Sequence, residues 1–181
     1  MNDFVDVKKF CPGVRIELRY ASKKNLFKKA IYEPGARCLL RKTTAERINR
    51  VQSLLQKDGF GLKIWDAYRP LSTQKILWKL RPDSRFVAPP ARGSMHNRGV
   101  AVDVTLVDRL GKEVEMPCDF DNFSSLAKSR SNQGSRAARN NRDRLRIAMS
   151  ACGFVPYENE WWHFHDPDWR RFRKASRTLR R

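Results

Sequence analysis

Residues 94–106 read SMHNRGVAVDVTL. Val100, Val102, Val104 and Leu106 alternate with Ala101, Asp103 and Thr105, the two-residue period of a β-strand. One face of this strand is wholly branched aliphatic and must belong to the core. The other carries a carboxylate between two small neighbours, and an unpaired charge in the middle of a strand is expensive to bury. Asp103 therefore requires a cation. The candidates are Arg98, in a structural salt bridge, or a metal ion held with His96 and a second histidine. The glycine at 99 marks a turn that lets His96 swing toward the strand.

Working toward the C-terminus, the stretch EWWHF at 160–164 supplies the second histidine, His163, with Glu160 three residues before it and not needed as a ligand. Two histidines and one aspartate around an open fourth position suit catalytic zinc, one ion per chain. Zinc with three protein ligands lowers the pKa of a bound water toward neutrality. A neighbouring glutamate can then take its proton and later hand it to a leaving amine, a role that Glu160 fits. Trp161 and Trp162 are core aromatics that could also surround Glu160 with a low-dielectric wall and raise its pKa.

The rest of the chain supplies a sheet and helices. Residues 14–20 (VRIELRY) alternate like a half-buried strand whose last inward residue is Tyr20. Thr43 and Glu46 form a capping-box pattern ahead of Ile48, Val51, Leu54 and Leu55 at helical spacing, and Gly59 ends that helix. Residues 62–65 (LKIW) predict another strand, running into DAYRP, so that Asp66, Tyr68 and Arg69 sit at a strand end and a helix starts near Ser72. A loop spans 81–98, and DRLGK at 108–112 is a turn. The polar stretch up to Asn140 gives no clear period. Leu145, Ala148, Met149 and Cys152 then predict a helix ending at Gly153, followed by a final strand through EWWHF. The expected fold class is α+β, a central antiparallel sheet that carries the zinc site and is flanked by helices. One domain is expected over 1–168, with a basic helix or tail over 169–181.

These residues carry a family resemblance. SxHxxGxAxD, present as Ser94, His96, Gly99, Ala101 and Asp103, followed by EWWH as Glu160 to His163, resembles the zinc D-Ala-D-Ala dipeptidases. These are the VanX-type members of the D,D-peptidase/hedgehog fold group. The likeness extends to LRYAS at 18–22, WDAYRP at 65–70, FDNF at 120–123 and RLRIAMSACGF at 144–154, in the family's order. It implies zinc on His96, Asp103 and His163, Glu160 as general base and acid, and Arg69 as the group that stabilises the oxyanion. A guanidinium suits that task because it stays charged and aims fixed donors. The resemblance also implies that Tyr20 and Ser94 contact substrate, that Asp66 orients Arg69, and that Asp121 faces a substrate ammonium. Taken alone, Ser94 reads equally as a turn residue and Tyr20 as a core residue. The chain departs from the family pattern at 116–119 (MPCD), in a histidine-free stretch over 124–133, and in its basic C-terminus. The first two bear on the pocket edge and leave the zinc set intact. His165 reads as a surface or outer histidine.

The expected substrate is a short D-amino-acid dipeptide. Within the same fold group, a D,D-carboxypeptidase or murein-peptide endopeptidase would keep the zinc set and require export. From another class, a basic binding module with a structural metal site would show steep salt-dependent polymer binding without hydrolysis. Lys plus Arg number 38 against 19 Asp plus Glu, a formal charge of +19, which favours contact with anionic polymers. Arg-rich runs at 136–146 and 169–181 read as solvated faces or tails. The four cysteines show neither CxxC nor zinc-finger spacing and are expected to be buried free thiols. With no apolar leader and no run of membrane-spanning length, the chain is expected to be cytoplasmic.

Overall fold

The computed structural model describes residues 3–180. In chain order its strands are β1 (Phe4–Asp6), β2 (Arg15–Ile16), β3 (Leu39–Arg41), β4 (Gly61–Asp66), β5 (Ala101–Val107), β6 (Val155–Tyr157) and β7 (Glu160–His165). Its helices are α1 (Val7–Phe10), α2 (Lys42–Lys57), α3 (Leu71–Leu80) and α4 (Arg136–Ala151). The main sheet has the order β2-β4-β5-β7-β6. The four strands from β4 to β6 make three antiparallel pairings, and β2 joins the edge of β4 in parallel. A separate antiparallel pair is formed by β1 and β3.

The alternation predicted around Asp103 is the axis of the fold. All seven residues of β5 are buried. Val102, Val104 and Leu106 belong to one core cluster with Ile48, Val51 and Leu55 of α2 and Leu145, Ala148 and Met149 of α4. Each such side chain taken out of water contributes about 2 kcal/mol. The two helices also pack on each other, so one layer of helices closes the aliphatic face. The α+β expectation holds.

Several local expectations are corrected. The strand predicted over 14–20 stops at Ile16, and residues 19–21 form a 3-10 turn. Arg19, placed on the solvent face by the alternation, is only 5% exposed. Its guanidinium lies 4.6 Å over the Trp65 ring and 3.0 Å from Glu113, and these contacts pull the chain out of the ladder. The capping box does not form. Helix α2 begins at Lys42 with Arg41 as its N-cap and no side-chain cap, because β3 runs straight into the helix and the Lys42 N–H is taken by the Asp3 carbonyl at 2.7 Å. Helix α4 starts well before its apolar period, where the Ser135 hydroxyl accepts the Ala138 N–H at 3.0 Å.

The basic C-terminal segment is a solvated face and not a free tail: Arg170, Arg171, Arg173, Lys174 and Arg180 are exposed while the backbone lies on the body. After a 3-10 turn at Trp169–Arg171 it runs without regular structure across the body, and the Leu179 side chain is buried. All four cysteines are free, with Cys11 and Cys38 buried and Cys118 and Cys152 half-buried. No helix among the described residues is long and apolar enough to cross a membrane.

Candidate metal centre and active-site pocket

Antiparallel pairing sets Asp103 of β5 directly opposite His163 of β7, so both side chains leave the same face of the sheet. His96 arrives from a 3-10 turn, His96–Arg98, that ends on Gly99 in the left-handed region at φ 74°. A Cβ at position 99 would lie 2.3 Å from the Phe4 ring, so the turn needs glycine for both conformation and space.

The three side chains converge. His96 Nε2 lies 3.1 Å from His163 Nδ1. Asp103 Oδ1 lies 2.9 Å from His163 Nδ1 and 3.4 Å from His96 Nε2. Ligands about 2.0–2.1 Å from a tetrahedral zinc ion stand about 3.3 Å apart, so this triangle has the right size. The chemistry of the donor set fits too. His96 Nδ1 donates to the Ala67 carbonyl at 2.7 Å, which fixes the tautomer and leaves Nε2 with a free lone pair facing the other two ligands. Burial pushes the Asp103 carboxyl up, but the flanking His96 and His163 outweigh it and hold the group well below the usual carboxylate range. Arg98 is not its partner: the Arg98 guanidinium donates to the Phe172 carbonyl and stacks on Trp169.

Glu160 opens β7, with Oε2 3.9 Å from His163 Nδ1, beside the triangle and outside it. Burial raises its pKa to about 7, with His163 opposing the rise and Asp103 and Asp121 adding to it. A carboxyl poised near neutrality can both accept and donate a proton.

Arg69 is held rigidly. Its Nε and Nη2 donate to Asp66 Oδ2 at 3.0 and 2.8 Å, and its Nη1 donates to Gln74 Oε1 at 3.1 Å. Asp66, wholly buried, also accepts the Tyr32 hydroxyl at 2.5 Å. The guanidinium carbon lies 5.0 Å over the Tyr20 ring, and Nη2 lies 4.0 Å from Asp103 Oδ2. The Tyr20 hydroxyl is 3.3 Å from both Asp121 oxygens, and Asp121 accepts the Leu26 N–H at 3.2 Å.

Tyr20, Arg69, Ser94, Asp121 and Glu160 line one pocket of about 290 Å³ with the three ligand residues, and Asp66 stands behind Arg69. Ser94 fits both of its readings, since it lines the pocket and its hydroxyl accepts the His96 N–H at 3.2 Å inside the turn. His165 is half-buried on the same strand face as His163. His163 Nε2 and His165 Nδ1 are both buried without a hydrogen-bond partner among the described residues.

Sequence reasoning missed Gln74 and Tyr32, which anchor Arg69 and Asp66, because neither stands at a telling distance from its partner along the chain. It also missed Tyr157, whose ring lies 5.6 Å from His163 in the pocket wall. Its nearness to EWWHF, across a hairpin turn, was the available clue.

A sheet and an adjoining turn that bring two imidazoles and a carboxylate to one point, with a free glutamate and a fixed arginine in the same pocket, form the site of a metallopeptidase. A family model described as D-ala-D-ala dipeptidase matches residues 1–177, and the chain belongs to that family, peptidase family M15. It is 39% identical over 165 residues to the D-alanyl-D-alanine dipeptidase of Escherichia coli strain K12, covering 91% of this chain and 85% of that one. It is 31% identical over 174 residues to the D-alanyl-D-alanine dipeptidase of Enterococcus faecium, covering 84% and 85%. Among solved structures, the LdcB LD-carboxypeptidase shares the fold at a TM-score of 0.53 and 18% identity, over 92% of this chain and 68% of that one. The family match includes most of the C-terminal segment that the sequence pattern had set apart.

Proposed function

We infer that this chain hydrolyses D-alanyl-D-alanine, or a closely related D-amino-acid dipeptide, with one zinc ion held by His96, Asp103 and His163. The observation that carries this reading is the triangle of ligand atoms, 2.9 to 3.4 Å on a side, with Glu160 standing free beside it. Zinc so held supplies Lewis acidity at neutral pH. Glu160 takes a proton from the attacking water and delivers it to the leaving amine. Arg69, fixed by Asp66 and Gln74, presents guanidinium N–H groups to the oxygen on which negative charge develops, without reorganising at that moment. Asp121, with Tyr20 bonded to it, offers a carboxylate to the substrate ammonium, and Ser94, which lines the same pocket, contacts the substrate.

The family match favours a dipeptide over a long wall peptide. The test is metal analysis joined to hydrolysis of free D-Ala-D-Ala and of a pentapeptide wall precursor. Zinc near one equivalent with cleavage of the dipeptide alone is expected. A metal-loaded protein that leaves the dipeptide intact would overturn the assignment. Four free thiols suit a reducing compartment such as the cytoplasm. The +19 charge suits contact with anionic polymers, which would weaken steeply with added salt.

A further inference from the structure

The turn that carries His96 is tied to the C-terminal segment. Asn97 is wholly buried and acts as the knot. Its Nδ2 donates to the Arg69 carbonyl at 2.8 Å, and its Oδ1 accepts the Ser94 N–H at 2.7 Å. Its backbone carbonyl accepts the Ala175 N–H at 2.8 Å. One residue before Arg69, the buried Tyr68 reaches the same segment. Its hydroxyl accepts the Arg177 N–H at 3.0 Å, and its one proton is shared between the carbonyls of Ala175 and Arg177, at 3.0 and 3.1 Å.

The remaining ties have a common character. Arg98 donates to the Phe172 carbonyl, Arg41 to the Arg173 carbonyl at 3.5 Å, and the Arg37 N–H to the Leu179 carbonyl at 3.0 Å. In all of these the body grips the backbone of the segment. Ties through basic side chains lie at the surface: Lys174 Nζ donates to the Ala91 carbonyl at 2.9 Å, Arg180 Nε pairs with Glu33 Oε2 at 2.8 Å with both side chains more than half exposed, and the Arg177 guanidinium lies 5.3 Å from the Phe4 ring. Exposed pairs of this kind contribute little. Leu179, 6% exposed, anchors the far end in the core. A segment that merely lay along the surface would satisfy its backbone groups with water; this one finds partners on the two loops that carry His96 and Arg69.

We propose that residues 172–180 are a positioning strap, which fixes the His96 turn and Arg69 against β5 and β7 through Asn97 and Tyr68, by its backbone and its Leu179 anchor and not by its positive charge. The proposal rests on the roles given to His96 and Arg69 above. Because His96 supplies one edge of the ligand triangle, loosening the strap weakens metal binding as well as turnover. Groups that orient a metal ligand from behind change affinity by roughly 10–100-fold when removed.

The experiment uses the full chain. Leu179→Ser releases the anchor, Tyr68→Phe deletes the hydroxyl that holds the strap while keeping the ring, and the double variant Arg173→Gln/Arg180→Gln removes two exposed charges of the strap, the Arg180–Glu33 pair among them. Zinc affinity is measured by competition with a chromogenic chelator, and kcat and KM with D-Ala-D-Ala, alongside the thermal midpoint. The first two variants are expected to bind zinc about 10-fold or more weakly and to lose kcat more than KM. The charge variant is expected to match the unaltered chain. If the anchor and hydroxyl variants lower only the thermal midpoint, or if the charge variant loses zinc affinity as they do, the proposal is overturned. Should Tyr68→Phe fail to fold, Leu179→Ser decides. An unaltered chain that binds zinc but does not cleave the dipeptide refutes the proposed substrate, while the affinity comparison still tests the strap.

Discussion

Asp121 holds a left-handed backbone, φ 59°, unusual for a residue with a side chain, and its carboxyl is buried beside Tyr20. Burial pushes its pKa from 3.8 up to about 7, with the Leu26 N–H pulling the other way. The folded chain thus holds this proton more tightly than the unfolded chain. Stability is untouched below the ordinary value of 3.8 and is lost as pH rises from there to about 7. Asn tolerates the left-handed region and carries no charge. Asp121→Asn should therefore raise thermal stability at pH 8, by up to about 4 kcal/mol, with the gain fading toward pH 4; denaturation at the two pH values checks it. The same variant should raise KM for D-Ala-D-Ala, because the substrate ammonium loses its counter-charge. Glu160→Ala should lower kcat by about 10²–10⁴-fold or more while zinc content stays at that of the unaltered chain, whereas His163→Ala should lose both. Turnover and metal analysis on the same preparations separate these outcomes. The residues of the triangle were legible in the sequence because a strand period, a glycine turn and a repeated histidine each constrain one ligand. Gln74, Tyr32 and Asn97 were not: Tyr32 reaches Asp66 and Asn97 reaches Arg69 across the chain, while Gln74, five residues from Arg69, follows no recognised motif.

At the scale of elements, the turn at Gly99 is the most sensitive joint, for it supports His96 and abuts Phe4 of β1. Gly99→Ala must both enter the left-handed region, at about 1–2 kcal/mol, and displace an aromatic ring. A lower thermal midpoint together with weaker zinc binding is expected, measured by calorimetry and chelator competition. Strand β5 could be read from its alternation because both its period and its length are clear. The three-residue strands β1, β3 and β6 could not, since so short a run carries no period. The strand over 14–20 was overread because a buried arginine mimics a solvent-facing one: Arg19 follows the polar rhythm while lying on Trp65 and Glu113. Helix α4 was recognised only in its second half, where apolar residues repeat. Its first turns are polar, and their start is fixed by the Ser135 hydroxyl.

Across the whole molecule, the proposed zinc site would link metal binding to folding. His96, Asp103 and His163 are all buried on the inner elements, and an ion that binds only the native chain stabilises it by mass action. Stripping zinc with a chelator should lower the thermal midpoint, and restoring it at about 100 times its dissociation constant should return about 2.7 kcal/mol. A midpoint indifferent to zinc would contradict the assigned ligand set. The basic C-terminus shows where composition stops short. Its charge run predicts a solvated face or tail, and it is a face because the body binds its backbone groups, which every sequence shares and no composition reveals.

Strand β5, buried along its whole length and paired on both sides, is also the strand from which Asp103 projects. Amide protons there exchange only through the largest openings of the protein, so Asp103 leaves its place only when the molecule opens as a whole. Turnover lost below the global melting point then reports release of the His96 turn or of Arg69, not of the strand that bears Asp103.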